Sequence, residues 1–300
     1  MDITRYKNQF FILPVVFVLL SFFALGTWGL HAGIDLAGGS ILQISYPDGR
    51  PKVEDVRSKV ATLKLGEVRV QPSKDHEYIL RQKDLTQKEK ETLMKTLGSF
   101  GKVNEIQFNS IGPSIGHELY IKALYAIVLV TLAIILFIAF VFRHVSRPVA
   151  SWKYGVVAIV TLLHDIILPA GVFAYLGHIR GAEVDALFIV ALLTVLGISI
   201  NDTIVVFDRI RENLKSNEMK NKREVFGDVV GRSVTQTLAR SINTSMTVII
   251  VLAALFYLGP ASTKDFALTL IIGMVAGTYS SIFLAAPLLV SIEGWQKKHV

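Results

Sequence analysis

Asp202 is the residue hardest to reconcile with its surroundings. It follows Asn201 inside L-L-T-V-L-G-I-S-I-N-D-T-I-V-V-F, an apolar stretch ending at Phe207. On the mildest insertion scales a carboxylate in hydrocarbon costs roughly 2.5–3.5 kcal/mol unless it finds a partner or water. Groups held at that cost mark proton relays, ion pathways or substrate sites. The next apolar block supplies a counter-charge. Gln236, Arg240, Asn243, Thr244 and Thr247 follow i, i+4, i+7, i+8, i+11 spacing, which makes one polar stripe on a helix. Asp202 lies five residues before the end of its block, roughly 8 Å up a helix rising 1.5 Å per residue, and Arg240 opens the next block at a similar level. The two are expected to face each other and neutralise both charges, with proton carriage as the chemistry this allows. An Asp–Arg pair that only fixes helix register, or an Arg240 that snorkels to the surface, is the plainer alternative.

A second polar set lies on the third apolar block, where Thr161, His164 and Asp165 share a face by i, i+3, i+4 spacing. Asp165 falls near mid-helix and is a further candidate for proton conduction. His164 reads as a hydrogen-bonded packing residue. On the last block Gly273, Gly277, Ser281 and Ala285 recur at every fourth position, the small-xxx-small pattern that lets helices approach closely. The chain has no G-x-x-x-x-G-K-[ST], no dinucleotide fingerprint and no H-E-x-x-H, and His117-Glu118 lacks the second histidine of a zinc protease. There is no cysteine, so thiolate metal sites and disulfides are excluded. No metal, cofactor or enzymatic activity is expected. Work done by this chain should draw on an ion gradient.

These residues need helices in a bilayer. Of the 300 residues 52% are hydrophobic and only 18% charged, and the apolar ones come in long blocks, the mark of a polytopic membrane protein. The first block, about Phe10–Leu30, follows Arg5 and Lys7. It is long enough to span and has no convincing cleavage site after it, so an uncleaved first helix is expected over a signal peptide. Five more blocks fall at about Tyr120–Phe142, Tyr154–Leu176, Ala186–Phe207, Ser241–Leu258 and Phe266–Ser291. The run Asp208–Glu212 with Lys215 reads as an amphipathic extension of the fourth. Arg143, Arg147 and Lys153 lie in one connection, Lys215, Lys220, Lys222, Arg223 and Arg232 in another, and Lys297 and Lys298 at the end. The intervening connections have Arg180 beside Glu183 and Asp185, and Lys264 beside Asp265. By the positive-inside rule both termini are cytoplasmic, which accounts for a net charge of +7 without nucleic acid.

Between the first two blocks the composition is that of a water-soluble domain on the far side of the membrane. Strand Ser40–Tyr46, helix Pro51–Leu65, strand Glu67–Gln71, strand Glu77–Gln82, helix Thr86–Leu97 and strand Val103–Asn109 are expected, with Thr86 and Glu89 as a capping box and Pro51 in the first turn of its helix. The order βαββαβ is the ferredoxin-like motif. The fold class expected is therefore an α-helical polytopic membrane protein of six transmembrane helices, with one extracytoplasmic α+β domain between helices 1 and 2. Residues 1–30 form the first segment, 31–118 the external domain and 119–300 a five-helix membrane domain.

Five motifs in this order resemble the SecF branch of the SecD/SecF family. Gly33-Ile34-Asp35-Leu36-Ala37-Gly38-Gly39 is similar to the family's G-I-D-F-x-G-G, and Ile111-Gly112-Pro113-Ser114-Ile115-Gly116-His117-Glu118-Leu119 to its V-G-P-x-x-G-x-E-L. His164-Asp165 matches its H-D. Ser199 to Asn213, S-I-N-D-T-I-V-V-F-D-R-I-R-E-N, and Ser233 to Ser245, S-V-T-Q-T-L-A-R-S-I-N-T-S, resemble its most specific signatures. Leu36 stands where the family has Phe, and Leu196-Gly197-Ile198 replaces the usual G-Y before S-I-N-D. The resemblance implies a resistance-nodulation-division half in the cytoplasmic membrane. It implies work with SecD at the SecYEG channel, using the proton-motive force to move a translocating preprotein through a lipid bilayer. It also implies proton conduction at the Asp202 and Arg240 positions. An efflux transporter of the same superfamily and a purely structural subunit are the alternatives.

Overall fold

A computed structural model describes residues 3–66, 68–73, 76–141 and 149–297. In chain order the helices are α1 (Ile3–Thr27), α2 (Ile34–Ala37), α3 (Val53–Ala61), α4 (Gln87–Gly98), α5 (Pro113–Val141), α6 (Ser151–Arg180), α7 (Ala186–Met219), α8 (Phe226–Leu258), α9 (Ala261–Ser280) and α10 (Ala286–Lys297). A single π-turn, Ser281–Ala285, joins the last two, so that they run as one interrupted span. The strands are β1 (Gly39–Ser45), β2 (Arg69–Pro72), β3 (Glu77–Gln82) and β4 (Asn104–Ile111). Among the described residues six helices are long and apolar enough to cross a membrane. Of the predicted features, Glu67, Phe142, Arg143, Arg147 and Lys298 lie outside the described residues.

The chain divides into two compact units, residues 32–125 and residues 1–31 with 126–300. In the helical unit α9 is central, packing on α6, α7 and α8, while α1 lies along α6. Its core gathers Tyr154, Leu162, Leu196, Phe207, Ile210, Phe226, Val230, Val234, Ile282 and Leu289. The two glycines of the small-residue series sit where α9 and α7 are closest, while Ser281 and Ala285 fall in the π-turn. A Cβ on Gly273 would collide with the Val195 side chain, and one on Gly277 would meet the Ser199 Cβ at 3.0 Å, so α9 approaches α7 to backbone distance. Apolar side chains such as Phe17 and Leu20 of α1, Leu136 and Phe140 of α5, and Ile250 and Leu258 of α8 are turned outward. A bilayer solvates such a face as well as a core would.

The predicted fourth and fifth spans are longer than their apolar blocks. α7 continues unbroken past Phe207, and α8 begins well before Ser241. The charged run does form a helical extension, but one that is partly buried. Asn213 donates to Ser233 Oγ at 2.8 Å and to Gln236 Oε1 at 2.9 Å, Arg209 donates to the same Gln236 oxygen at 2.7 Å, and Ile210 and Phe226 pack beneath. At the tip Asn217 and Arg232 both donate to Glu224, and together with Lys222 they hold its carboxyl below the usual range. This polar layer replaces hydrocarbon as the reason for the helices to persist.

The other unit is a four-stranded antiparallel sheet in the order β2-β3-β1-β4, with α3 and α4 covering a core of Leu42, Ile44, Tyr46, Val56, Val60, Tyr78, Leu80, Leu93 and Leu97. The expected βαββαβ order is present, with β1 and β3 paired from Ser40↔Gln82 to Ser45↔Glu77. Both halves of the capping box form: the Glu89 amide donates to Thr86 Oγ1 and the Thr86 amide to the Glu89 carboxylate. With Lys83 also donating, the Glu89 carboxyl is held at about 2. Tyr46, buried against Tyr78 and donating to the Leu97 carbonyl, is pushed up to about 12. One expectation fails here. Pro51 precedes its helix, because Lys52 is the extended N-cap and the first turn starts at Val53.

Gly33 caps the one-turn helix α2, which contains Asp35 and ends at Gly38. The two loop motifs read from the sequence meet there. A Cβ on Gly38 would stand 2.6 Å from the Pro113 Cα, and one on Gly116 would stand 2.5 Å from the Gly38 nitrogen. Gly38 also holds φ +78°, and Gly39, which opens β1, holds +141°, both costly for any other residue. Gly112 and Pro113 thus continue β4 into α5 across a backbone contact with no space for side chains.

Candidate functional site

The polar centre of the helical unit is Asp165. Its side chain is fully buried on α6 and is met by His164 of the same helix and by serines of two others. His164 Nδ1 lies 2.8 Å from Oδ1. Ser280 Oγ on α9 donates to Oδ2 at 2.8 Å, and Ser199 Oγ on α7 donates to the same oxygen. Each contact reduces the cost of a carboxyl group in a dry interior, and the two serines tie α6 to α7 and α9. Ser280 immediately precedes the π-turn, a local widening often found beside working residues.

Asp202 lies three residues beyond Ser199, roughly 4.5 Å further along α7 and on the same face. It is buried, 8% exposed, and Oδ1 accepts from Ser241 Oγ on α8 at 3.3 Å. Thr203, also buried, donates to the Ser199 carbonyl at 3.2 Å. Ser199 therefore stands between two acids, bonded to one and one helical turn from the other.

The expected contact between Asp202 and Arg240 is not made. Among the described residues no ion pair joins them, and Arg240 acts on the carboxyl only as a nearby charge. The polar stripe of α8 also faces the wrong way for the sequence reading: Gln236, Arg240, Asn243, Thr244 and Thr247 are exposed on this chain, and so is Asn201 of α7. The face turned inward is Ser233, Thr237, Ser241 and Ser245, with Ser245 bonded to Thr278 of α9 at 2.5 Å. Neighbouring residues project about 100° apart on a helix, so Ser241 can point at Asp202 only if Arg240 points away. Small hydroxyls let α8 approach α7 and α9, whereas a row of long polar side chains would hold it off. Gln236 joins Arg209 and Asn213 in the polar layer near the connected ends of α7 and α8, at a different level from Asp202.

Ser199, Ser241 and Ser280, which complete this site, were not singled out by their sequence. The available signals were faint: Ser199 stands at i−3 from Asp202, and Ser241 and Ser245 are i, i+4. Among the described residues no group of three or more His, Asp and Glu is placed to hold a metal ion.

Two buried carboxyl groups within a bundle of membrane-length helices, satisfied by serine hydroxyls from neighbouring helices, define a polytopic membrane protein with an ionisable interior. The family described as protein export membrane protein SecD/SecF, C-terminal, matches residues 89–295. The chain is similar to the protein translocase subunit SecF of Thermobaculum terrenum, 42% identical over 99% of this chain and 94% of that one. It is also similar to the SecF of Synechocystis, 35% identical over 99% and 95%. Among solved structures it resembles SecDF from Thermus thermophilus, titled a translocon-associated membrane protein, with TM-score 0.84 and 29% identity over 99% of this chain. It spans 39% of the length of that SecDF chain. The chain belongs to the SecD/SecF family of protein export membrane proteins.

Proposed function

We propose that this chain is the SecF-type subunit of a SecD–SecF pair that draws on the proton-motive force to assist protein translocation at the SecYEG channel. As a SecD/SecF-family chain it serves Sec-associated translocation, and a SecD chain supplies the other half. In this reading both termini are cytoplasmic, and residues 31–118 lie across the cytoplasmic membrane, where the exported preprotein emerges. The basic connections around Lys215 to Arg223 support that orientation.

The observation that carries the proposal is the pairing of two levels of buried acid, Asp165 and Asp202, around Ser199 in the middle of the helical unit. Asp202 takes up a proton, loses its hold on Ser241 and its attraction to the Arg240 charge, and α7 and α8 shift. Release on the cytoplasmic side restores the contact. Such a cycle does work only if the two protonation states favour different helix arrangements. The exposed row Asn201, Arg240, Asn243 and Thr244 fits the same picture as the face toward SecD. An arginine left facing hydrocarbon costs several kcal/mol, and a partner helix that offers an acceptor removes that cost.

The experiment is translocation into vesicles containing the intact complex, with and without an imposed proton gradient. Asp202→Asn is expected to abolish the stimulation by the gradient while the complex still assembles. Unchanged stimulation in that variant refutes the proton-coupled reading. Loss of assembly together with stimulation favours a structural subunit.

A further inference from the structure

Asp165 is sealed from solvent, so any proton it exchanges must pass through a group that touches it. Those groups are His164, Ser199 and Ser280. Ser199 and Ser280 are themselves buried between helices of the bundle, whereas an imidazole takes a proton on one nitrogen and gives it from the other. His164 is 4% exposed, with Nδ1 committed to Asp165 and Nε2 without a hydrogen-bond partner among the described residues. A buried, unpaired ring nitrogen costs about 1–3 kcal/mol and calls for an explanation.

The ring borders the explanation. A cavity of about 720 Å³, open along its outer side, runs between α1, α6 and α9, lined by His164 together with Leu20, Ser21, Trp28, Tyr175 and Tyr279 among others. From Leu13 to Trp28 it follows α1 for roughly 22 Å at 1.5 Å per residue. Its walls are almost entirely apolar, and the His164 ring is the group on them that also touches Asp165. The titratable groups around the ring are Asp165 and Tyr175 on α6 and Tyr279 on α9. α1 offers Ser21, and α7 offers Ser199 with Asp202 one turn beyond.

We infer that His164 is a proton relay that connects this cavity to Asp165, a role resting on the proton-coupled reading above. A proton arriving along the cavity binds Nε2 once the ring turns toward it, and the Nδ1 proton passes to Asp165 Oδ1. The ring is neutral before and after and differs only in tautomer, and its rotation resets it. The carboxylate becomes the acid, which hands its proton on toward Asp202.

The test is gradient-driven proton uptake into vesicles that hold the intact complex. His164→Gln keeps a hydrogen bond to Asp165 but cannot be protonated. His164→Ala leaves a hole beside the cavity in which free imidazole can stand. Both are expected to lower uptake at least about tenfold, the modest end of what a positioned acid–base group supplies. Millimolar imidazole should restore the alanine variant and leave the glutamine variant unchanged. Uptake within twofold of the parent in His164→Gln overturns the relay. So does a loss in His164→Ala that imidazole does not repair, since the ring would then only position Asp165. Asp202→Asn in the same vesicles separates the two ideas: if that variant also retains uptake, the proton-coupled reading itself has failed, and if it alone loses uptake, only the relay has.

Discussion

Removing the two serines that meet at Asp165 gives a quantitative test of how the site is held. Ser199 and Ser280 donate to the same oxygen, Oδ2. Replacing either by alanine leaves that oxygen one donor, so each single change should cost about 0.6–1.5 kcal/mol, the range of interhelical hydrogen bonds in membranes. Replacing both leaves a fully buried carboxyl oxygen bare. That penalty resembles breaking a buried charged contact, about 3–5 kcal/mol. The double variant should therefore exceed the sum of the singles by about 1–2 kcal/mol, a coupling of the size seen between residues sharing one partner. The assay is reversible unfolding of the purified chain in mixed micelles, titrated with a denaturing detergent, for parent, singles and double. Additive losses, or a double variant within about 1 kcal/mol of the parent, would refute a site in which the two hydroxyls share the support of Asp165.

Two further outcomes follow from the same structure. Gly273→Ala drives a methyl group into Val195, where overpacking should cost about 1–3 kcal/mol; Gly277→Ala, with 3.0 Å to the Ser199 Cβ, should cost less. The same detergent titration ranks them, and equal or absent losses would contradict the close approach of α7 and α9. The pH dependence of α4 tests its cap. The Glu89 carboxyl sits at about 2 against an ordinary 4.5, so its contribution is complete above about 4.5 and is lost as pH falls toward 2. Hydrogen exchange at the first turn of α4 should lose protection over that window in the parent relative to Glu89→Gln, and identical profiles would dismiss the capping contribution.

Much of the architecture was legible in the residues. Blocks of apolar side chains require membrane-length helices because backbone groups in hydrocarbon must pair internally. Period-two alternation at Ile41–Tyr46 and the Thr86–Glu89 box fixed elements of the sheet unit for local reasons. The site was legible only in its expensive members. Asp202 and Asp165 stand out because a buried carboxyl is costly anywhere in a membrane helix.

Their partners do not stand out. Ser199, Ser241 and Ser280 can satisfy themselves on the preceding turn, so nothing in one helix shows that a hydroxyl is needed by another. Periodicity likewise marked the stripe of Gln236, Arg240, Asn243, Thr244 and Thr247 on α8 as the inward face, whereas the face that packs is Ser233, Thr237, Ser241 and Ser245. That choice depends on the spacing between helices. The glycines of α9 and the serines of α8 bring the backbones close, only short side chains fit between them, and Arg240 is turned outward. Helix faces are local properties and belong to the sequence. The selection among them is a property of packing, and here the tertiary structure alone decided that Asp202 meets Ser241 instead of Arg240.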